Sequence, residues 1–97
     1  MKKLIIVGAG GFGREVYAWA KDHPDSGHAW EITGFLDDDP HVLDGYDYPV
    51  GVMGSVEEHQ PAEDEVFVCA IGAPMIKKKV CQGLLARSAT FISLVHP

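Results

Sequence analysis

The sequence predicts an α/β fold in which a mainly parallel, doubly wound sheet carries helices on both faces. Two observations predict it: apolar, β-branched runs at 2–7 and 66–71 each end at glycine, and a helical pattern follows each run. Continuously apolar strands are typical of parallel sheets, because both faces of such sheets are covered. Right-handed crossovers between the predicted strands then give the strand order 3-2-1-4-5.

The first strand–helix unit is the most clearly patterned part of the chain. Residues 2–7 predict a strand, and residues 11–21 predict a helix that His23-Pro24 closes. The helix is predicted from apolar residues that recur on one face, namely Phe12, Val16, Trp19 and Ala20. A second strand is expected at 30–36, where it runs into the loop Asp37-Asp38-Asp39-Pro40.

The second half of the chain predicts shorter elements. An edge strand is expected at 48–53, since Pro49 is tolerated there, and a short helix at 55–59 from the capping box of Ser55 and Glu58. Pro74 opens a second helix and a last strand covers 90–95. The pattern of this helix predicts a buried stripe of Ile76, Val80, Cys81, Leu84 and Leu85, with Lys77, Lys78 and Gln82 facing water.

Composition limits the classes of function. The 97 residues include 8 Lys and Arg against 14 Asp and Glu, a net charge of −6, and 46% are apolar, which indicates one globular domain spanning residues 1–97. The acidic balance argues against nucleic-acid binding. No apolar run approaches the ~20 residues of a membrane helix, and the start lacks a signal-peptide cleavage site.

Cysteine and histidine positions do not predict a disulfide framework or a metal site. Cys69 and Cys81 are twelve positions apart and form no C-x-x-C half-site, which fits a reducing cytoplasm. Four histidines have no metal-ligand spacing and are expected at the surface: His23, His28, His41 and His59. No motif for self-contained catalysis is found either, so no catalytic residue is assigned.

A glycine-rich turn provides the main functional signal. Gly8-Ala9-Gly10-Gly11-Phe12-Gly13 satisfies G-x-G-x-x-G after a predicted strand and at the start of a predicted helix. Gly10 and Gly11 allow backbone N–H groups to approach a phosphate, and the helix N-terminus adds partial positive charge. The alternative is that these glycines only permit a tight turn and close packing.

Further candidate residues lie at the same predicted sheet edge. The strand order places the topological switch point between the first strand and the strand at 66–71, so Gly10–Gly13 and the junction of Gly72 and Ala73 flank one crevice. Asp37 and Asp38 follow the neighbouring strand, where a carboxylate accepts hydrogen bonds from ribose hydroxyls or a base N–H. The alternative is that they cap a turn before Pro40. Helical geometry directs at most one of Lys77–Lys79 toward the crevice. Arg14 follows the glycine-rich turn and has either a role beside the phosphate or a role at the surface.

Three segments together resemble the N-terminal domain of bacterial sugar acetyltransferases of the PglD and NeuD type. They are residues 4–16 around Gly10-Gly11-Phe12-Gly13, residues 34–40 (Gly-Phe-Leu-Asp-Asp-Asp-Pro), and Ala70-Ile71-Gly72 with residues 76–80. The resemblance implies a Rossmann-like domain that binds a nucleotide-sugar acceptor, commonly a UDP-linked amino sugar. It places Gly10, Gly11 and Phe12 against the sugar nucleotide, Asp37 and Asp38 on the nucleoside, and Gly72 beside the sugar.

The resemblance also implies that acceptor binding and catalysis lie in two different domains. In this family a following left-handed β-helix binds acetyl-CoA, the co-substrate, and holds the catalytic histidine, so this chain is expected to lack both. It is also expected to carry no cofactor of its own. His96 corresponds to a junction residue rather than to the catalyst, and trimer formation is expected only with the β-helix. Some members have histidine where this chain has Phe12, which leaves the sugar open.

The residues leave three functional hypotheses. The first is a cytoplasmic domain that binds and orients a nucleotide-sugar for acetyl-CoA-dependent N- or O-acetylation. The alternative is an NAD(P)-binding domain of a small oxidoreductase or redox sensor, which the short second half of the fold disfavours. The third is a noncatalytic regulatory domain that has lost its ligand.

Overall fold

The computed structural model of the chain describes residues 1–93 and places a parallel sheet between two helices. The strands are β1 (Lys2–Val7), β2 (Trp30–Leu36), β3 (Val52–Gly54) and β4 (Glu65–Cys69), and the helices are α1 (Gly11–Asp22) and α2 (Pro74–Ala86). These strands form a 4-stranded sheet in the order β3-β2-β1-β4. The predicted α/β class, with its doubly wound, Rossmann-like arrangement, is therefore confirmed.

Alternating residues of β1 form the centre of both core layers. Leu4 and Ile6 pack in the cluster that contains Val16 and Ala20 of α1, whereas Ile5 and Val7 pack in the cluster that contains Leu84 of α2. All four β1 side chains have 0% exposure. Successive side chains of a strand point to opposite faces, so a strand covered on both faces is apolar at every position.

Helix α2 covers its face of the sheet less completely than its pattern predicts. Leu84 is its one buried side chain, and Val80 and Cys81 are half-buried. Ile76 and Leu85, which the sequence places in a buried stripe, are 57% and 55% exposed. The prediction of a continuous buried stripe is therefore wrong, because the helix contributes only Leu84, with support from Val80, to the cluster beneath it.

The predicted five-strand order also differs from the sheet observed. In place of a fifth strand, Phe91 forms an isolated parallel bridge with Phe67. The N–H of Phe67 donates to Thr90 at 2.8 Å, and the N–H of Ile92 donates to Phe67 at 2.8 Å. Residues 94–95 of the predicted strand, and His96, lie outside the described residues.

The predicted helix at 55–59 is a turn. The N–H of Glu58 donates to Ser55 Oγ at 3.2 Å, so half of the capping box forms without a helix behind it. Five residues before Pro61 are too few to offset the cost of helix nucleation.

Helix length bears on membrane insertion. α1 has 12 residues and α2 has 13, whereas a transmembrane helix takes ~20. Neither helix in the described part of the chain has the length and apolar character needed to cross a bilayer.

Candidate functional site

The carboxyl ends of three parallel strands meet at one edge of the sheet. Gly8 follows β1, Asp37 follows β2, and Ile71 comes two residues after β4; all three line a cavity of about 210 Å³. β1 pairs with β2 on one side and with β4 on the other, so the topological switch point lies between β1 and β4, as the sequence predicts. In open α/β sheets this position is where ligands bind.

The glycine-rich turn is fixed by hydrogen bonds to β2 and to the loop after it. Gly8 has a φ of 100°, a conformation that favours glycine, and its N–H donates to Leu36 at 2.7 Å. The N–H of Ala9 donates to Asp37 Oδ2 at 2.9 Å. A Cβ at Gly13 would lie 2.8 Å from the carbonyl carbon of Gly8, and closer still to its oxygen. Gly8 is thus required for the backbone conformation of the turn, and Gly13 for close packing of α1 on it.

Gly10 and Gly11 leave the N-terminus of α1 open. Gly10 is the N-cap residue, and no side chain caps the helix. A Cβ at Gly10 would meet nothing within 4 Å, and at Gly11 it would meet only the Arg14 side chain at 3.8 Å. The first N–H groups of a helix have no intrahelical acceptor, and they favour an anion. This end of α1 can therefore receive a phosphate.

The two aspartates after β2 have different roles. Asp37 is half-buried, and each of its carboxylate oxygens accepts a backbone N–H at 2.9 Å: Oδ2 from Ala9, and Oδ1 from Asp39. Asp38 is exposed, and its Oδ1 accepts a longer hydrogen bond of 3.4 Å from Val56 N–H. Asp37 therefore holds the turn, while the Asp38 carboxylate retains more capacity for a ligand.

Asp38 lies in a groove between the sheet edge and α2, here called the Asp38 groove. It consists of the cavity of about 210 Å³ and an adjoining one of about 530 Å³, and Asp38, Val56, Ile76 and Val80 line both. The larger cavity adds three charged side chains: Glu57, Lys79 and Arg87. Of the three lysines of α2, Lys79 is the one that lines this groove, whereas Lys77 lines a different cavity.

Arg87, which is not among the residues predicted for the site, stabilises the wall of the Asp38 groove that contains Val56. Its Nη2 donates to the carbonyl oxygen of Val56 at 2.6 Å, so the backbone of Val56 is bonded to Asp38 on one side and Arg87 on the other. Among residues 1–93, Arg87 Nε is a buried side-chain nitrogen without a hydrogen-bond partner. The sequence offers no signal for this contact beyond a basic residue directly after α2.

Several residues predicted for the site lie outside the Asp38 groove. The ring of Phe12 is 40% exposed, contacts Trp19 edge-on, and lines a separate cavity at the outer edge of β4. Gly72 and Ala73 are exposed in the turn before α2 and line neither part of the groove. The guanidinium of Arg14 lies over the Tyr46 ring, 4.3 Å from its centroid.

Two of the histidines predicted at the surface are largely covered. His59 Nε2 lies 2.9 Å from Glu65 Oε1, and these side chains are only 15% and 10% exposed. The His23 side chain is 18% exposed, and its ring lies 5.6 Å from that of Trp30. The surface prediction is wrong for both, because each ring packs on an aromatic neighbour: His23 on Trp30, and His59 on Phe67. Over residues 1–93, no group of three or more metal-ligating side chains is found.

The side chains that line the groove are charged or apolar. They offer carboxylates, two basic groups and an apolar floor, and they include no histidine, serine or cysteine. The carboxylates can accept hydrogen bonds from a hydroxyl-bearing ligand.

A comparison with protein families gives a match over most of the chain. A family model described as the PglD N-terminal domain matches residues 3–84. The matched range contains the glycine-rich turn, Asp37, Asp38 and most of α2, and it ends before Arg87. No curated protein matches the chain.

Proposed function

We propose that the chain, which belongs to the PglD N-terminal domain family, binds a nucleotide-linked sugar at the carboxyl edge of its sheet. The family relates this domain to sugar acetyltransferases. The ligand class is a UDP-linked amino sugar or a close analogue, the acceptor of an acetyl group. The observation that carries the proposal is the Asp38 groove, which begins at the glycine-rich turn and is lined by Asp38 along both of its cavities.

The diphosphate is assigned to the N-terminus of α1. The open space at Gly10 and Gly11 allows close approach of the ligand, and the uncapped helix end supplies N–H donors and partial positive charge. Because the chain has a net charge of −6, such a local positive field favours the binding of an anionic ligand at this end of α1. Lys79 lines the groove and adds a positive charge there.

The nucleoside is assigned to the Asp38 groove. A carboxylate accepts hydrogen bonds from ribose hydroxyls or from a base N–H. Asp37 already accepts one N–H at each oxygen, so Asp38 is the aspartate assigned to ligand contact and Asp37 the one that positions the turn. Ile76 and Val80 supply apolar contact for a base or a sugar ring.

Acetyl transfer itself is assigned to a β-helix domain outside this chain, with acetyl-CoA as the co-substrate. A sugar amine or hydroxyl would attack the thioester while a histidine of that domain removes the proton. The present chain contributes by holding the acceptor in one orientation, which lowers the entropic part of the barrier. A homotrimer is proposed only for the protein that includes the β-helix.

Calorimetric titration tests the proposal. The chain is titrated with UDP, a UDP-amino sugar, NAD and acetyl-CoA, and the same panel is run on Asp38→Asn. We expect saturable binding of the UDP ligands and at least a tenfold weaker affinity in the variant, since a lost charge-assisted hydrogen bond costs about 1.5–3 kcal/mol. Asp22→Asn is the matched control, because Asp22 ends α1 at the opposite edge of the sheet.

Each outcome of the panel has a definite meaning. The proposal is rejected if the UDP ligands do not bind, or if Asp38→Asn and Asp22→Asn bind them equally well. Binding of NAD without binding of UDP would instead support the dinucleotide-binding alternative. Binding of acetyl-CoA to this chain would contradict the assignment of the co-substrate to another domain.

A further inference from the structure

A second cavity lies at the outer edge of β4, away from the Asp38 groove. It measures about 430 Å³ and is lined by aromatic rings of α1 and of the segment after α2, and by one face of α2. Two cysteines line it together: Cys69, the last residue of β4, and Cys81, in the middle of α2. The fold thus brings side by side two thiols that are twelve positions apart in the sequence.

The two cysteines line the same cavity, and both are partly open to solvent. A side-chain hydrogen bond joins Cys81 to Cys69, and both residues are half-buried with free thiols. Burial, followed by this hydrogen bond, raises the pKa of Cys81 to about 11. The raised pKa keeps the thiol of Cys81 protonated at neutral pH, which slows attack by Cys81 on a disulfide, because the thiolate is the reactive form.

We propose that Cys69 and Cys81 form a reversible dithiol–disulfide pair that oxidation closes across the β4–α2 edge. Geometry supports this: β4 and α2 each contribute one cysteine to the same cavity, and the cavity gives a small disulfide reagent access to both. An internal disulfide needs the two Cβ atoms at about 3.5–4.5 Å, so closure requires that α2 bring Cys81 to this distance from Cys69. The inference is independent of the nucleotide-sugar proposal, because neither cysteine lines the Asp38 groove.

The chemistry requires an external oxidant, here a low-molecular-weight disulfide such as oxidised glutathione. One protein thiolate attacks a sulfur of the reagent, forms a mixed disulfide, and releases one glutathione thiolate. The second cysteine then loses its proton to solvent and attacks the mixed disulfide, which releases the second glutathione. The two protein thiols are oxidised to one disulfide, while one molecule of oxidised glutathione is reduced to two thiols.

The disulfide would link α2, a helix with few buried side chains, to the sheet. Within α2, Leu84 is the one fully buried side chain, so the helix is held to the sheet mainly near its C-terminal end. A covalent link at Cys81 would tie the middle of α2 to β4. Segments with little buried apolar surface open most readily, so we expect the link to slow amide exchange in α2 above all.

The experiment exposes the reduced chain to oxidised glutathione and follows its intact mass and its free thiols. We expect loss of both free thiols and of two hydrogens in mass, with no glutathione retained and no dimer on a non-reducing gel. Cys69→Ser and Cys81→Ser should each retain one glutathione instead, and dithiothreitol should reverse every product. Hydrogen exchange of the oxidised wild type should show slower exchange in α2 than in the reduced chain.

Three results would overturn the proposal. They are stable glutathione adducts on the wild type, a disulfide between two chains, and no reaction under conditions that modify the unfolded chain. Circular dichroism of each variant establishes that it is folded. If either serine variant is unfolded, the wild-type mass and the peptide map of the oxidised chain still decide whether the internal link forms.

Discussion

The backbone N–H of Ala9 donates a hydrogen bond of 2.9 Å to the carboxylate of Asp37, across 28 positions of the chain. This bond joins the glycine-rich turn after β1 to the loop after β2. Ala9 has 0% exposure, so its N–H has no access to water as a substitute acceptor. The other oxygen of the same carboxylate accepts the N–H of Asp39 at 2.9 Å. Asp37 therefore sets the relative position of the two loops that form the candidate site.

Replacement of Asp37 by alanine should destabilise the fold. The change leaves the buried N–H of Ala9 unsatisfied, and we expect a loss of about 1–3 kcal/mol in the free energy of unfolding. Asp37→Asn retains one oxygen and should fall between alanine and wild type. Urea denaturation measures the effect, with Asp47→Ala, at an exposed loop position, expected within about 0.5 kcal/mol of wild type. Equal stability of Asp37→Ala and wild type would contradict the structural role of this carboxylate.

Replacement of Gly13 by alanine should displace α1 from the turn. The new Cβ would lie 2.8 Å from the Gly8 carbonyl carbon, and backbone must move to relieve the contact. Overpacking of this kind costs about 1–3 kcal/mol. Gly72→Ala is the control, since a Cβ there meets nothing within 4 Å. A thermal melt should separate the two variants, and comparable melting temperatures would show that Gly13 is not required for packing.

Replacement of Arg87 by alanine should destabilise the wall of the Asp38 groove that contains Val56. Arg87→Ala removes the 2.6 Å hydrogen bond to the Val56 carbonyl and leaves a buried acceptor open. A hydrogen bond from a charged donor contributes about 1.5–3 kcal/mol, which should be lost from the free energy of unfolding. Lys78→Ala, on the exposed face of α2, should change it by less than about 0.5 kcal/mol. Increased amide exchange at Val56 in Arg87→Ala alone would locate the effect, and its absence would argue against this contact.

Alkylation of Cys81 should depend steeply on pH. Burial and the contact with Cys69 raise the pKa of Cys81 from 9.0 to about 11, and the thiolate is the reactive form. With a phosphine reductant present, the iodoacetamide rate at Cys81 should rise about tenfold per pH unit from pH 7 to pH 10. Peptide mapping by mass spectrometry resolves this site from Cys69. A rate that levels off below pH 9 would contradict the raised pKa.

The raised pKa of Cys81 also predicts how the stability of the fold changes with pH. The folded state binds the Cys81 proton more tightly than the unfolded state, whose pKa is near 9.0. The stabilisation from this group is complete below pH 9 and is lost as the pH rises toward 11. Cys81→Ser lacks the ionisable thiol, so its melting temperature should fall less steeply over that range than that of the wild type. If the melting temperatures of wild type and Cys81→Ser fall equally steeply with pH, the raised pKa of Cys81 is contradicted.

Local sequence signals predicted the first strand–helix unit well. β1 and α1 occur almost where the apolar patterns place them, because their periodicity reflects burial against a sheet covered on both faces. The same reasoning failed for α2, whose pattern predicts a buried stripe while Ile76 and Leu85 are exposed. Periodicity records which side chains share a helix face; it does not record how much of the sheet lies beneath that face.

The sequence by itself determined the α/β class, the parallel sheet, the glycine-rich turn and the acidic loop at its edge. Each follows from short-range rules: apolar runs, glycine spacing and breakers within a few residues of one another. Only the tertiary structure decided that Asp37 binds the turn while Asp38 lines the groove, that Arg87 reaches Val56, and that Cys69 and Cys81 line one cavity. These are contacts between segments far apart in the chain. Their distances depend on how helices and loops pack, which no local pattern encodes.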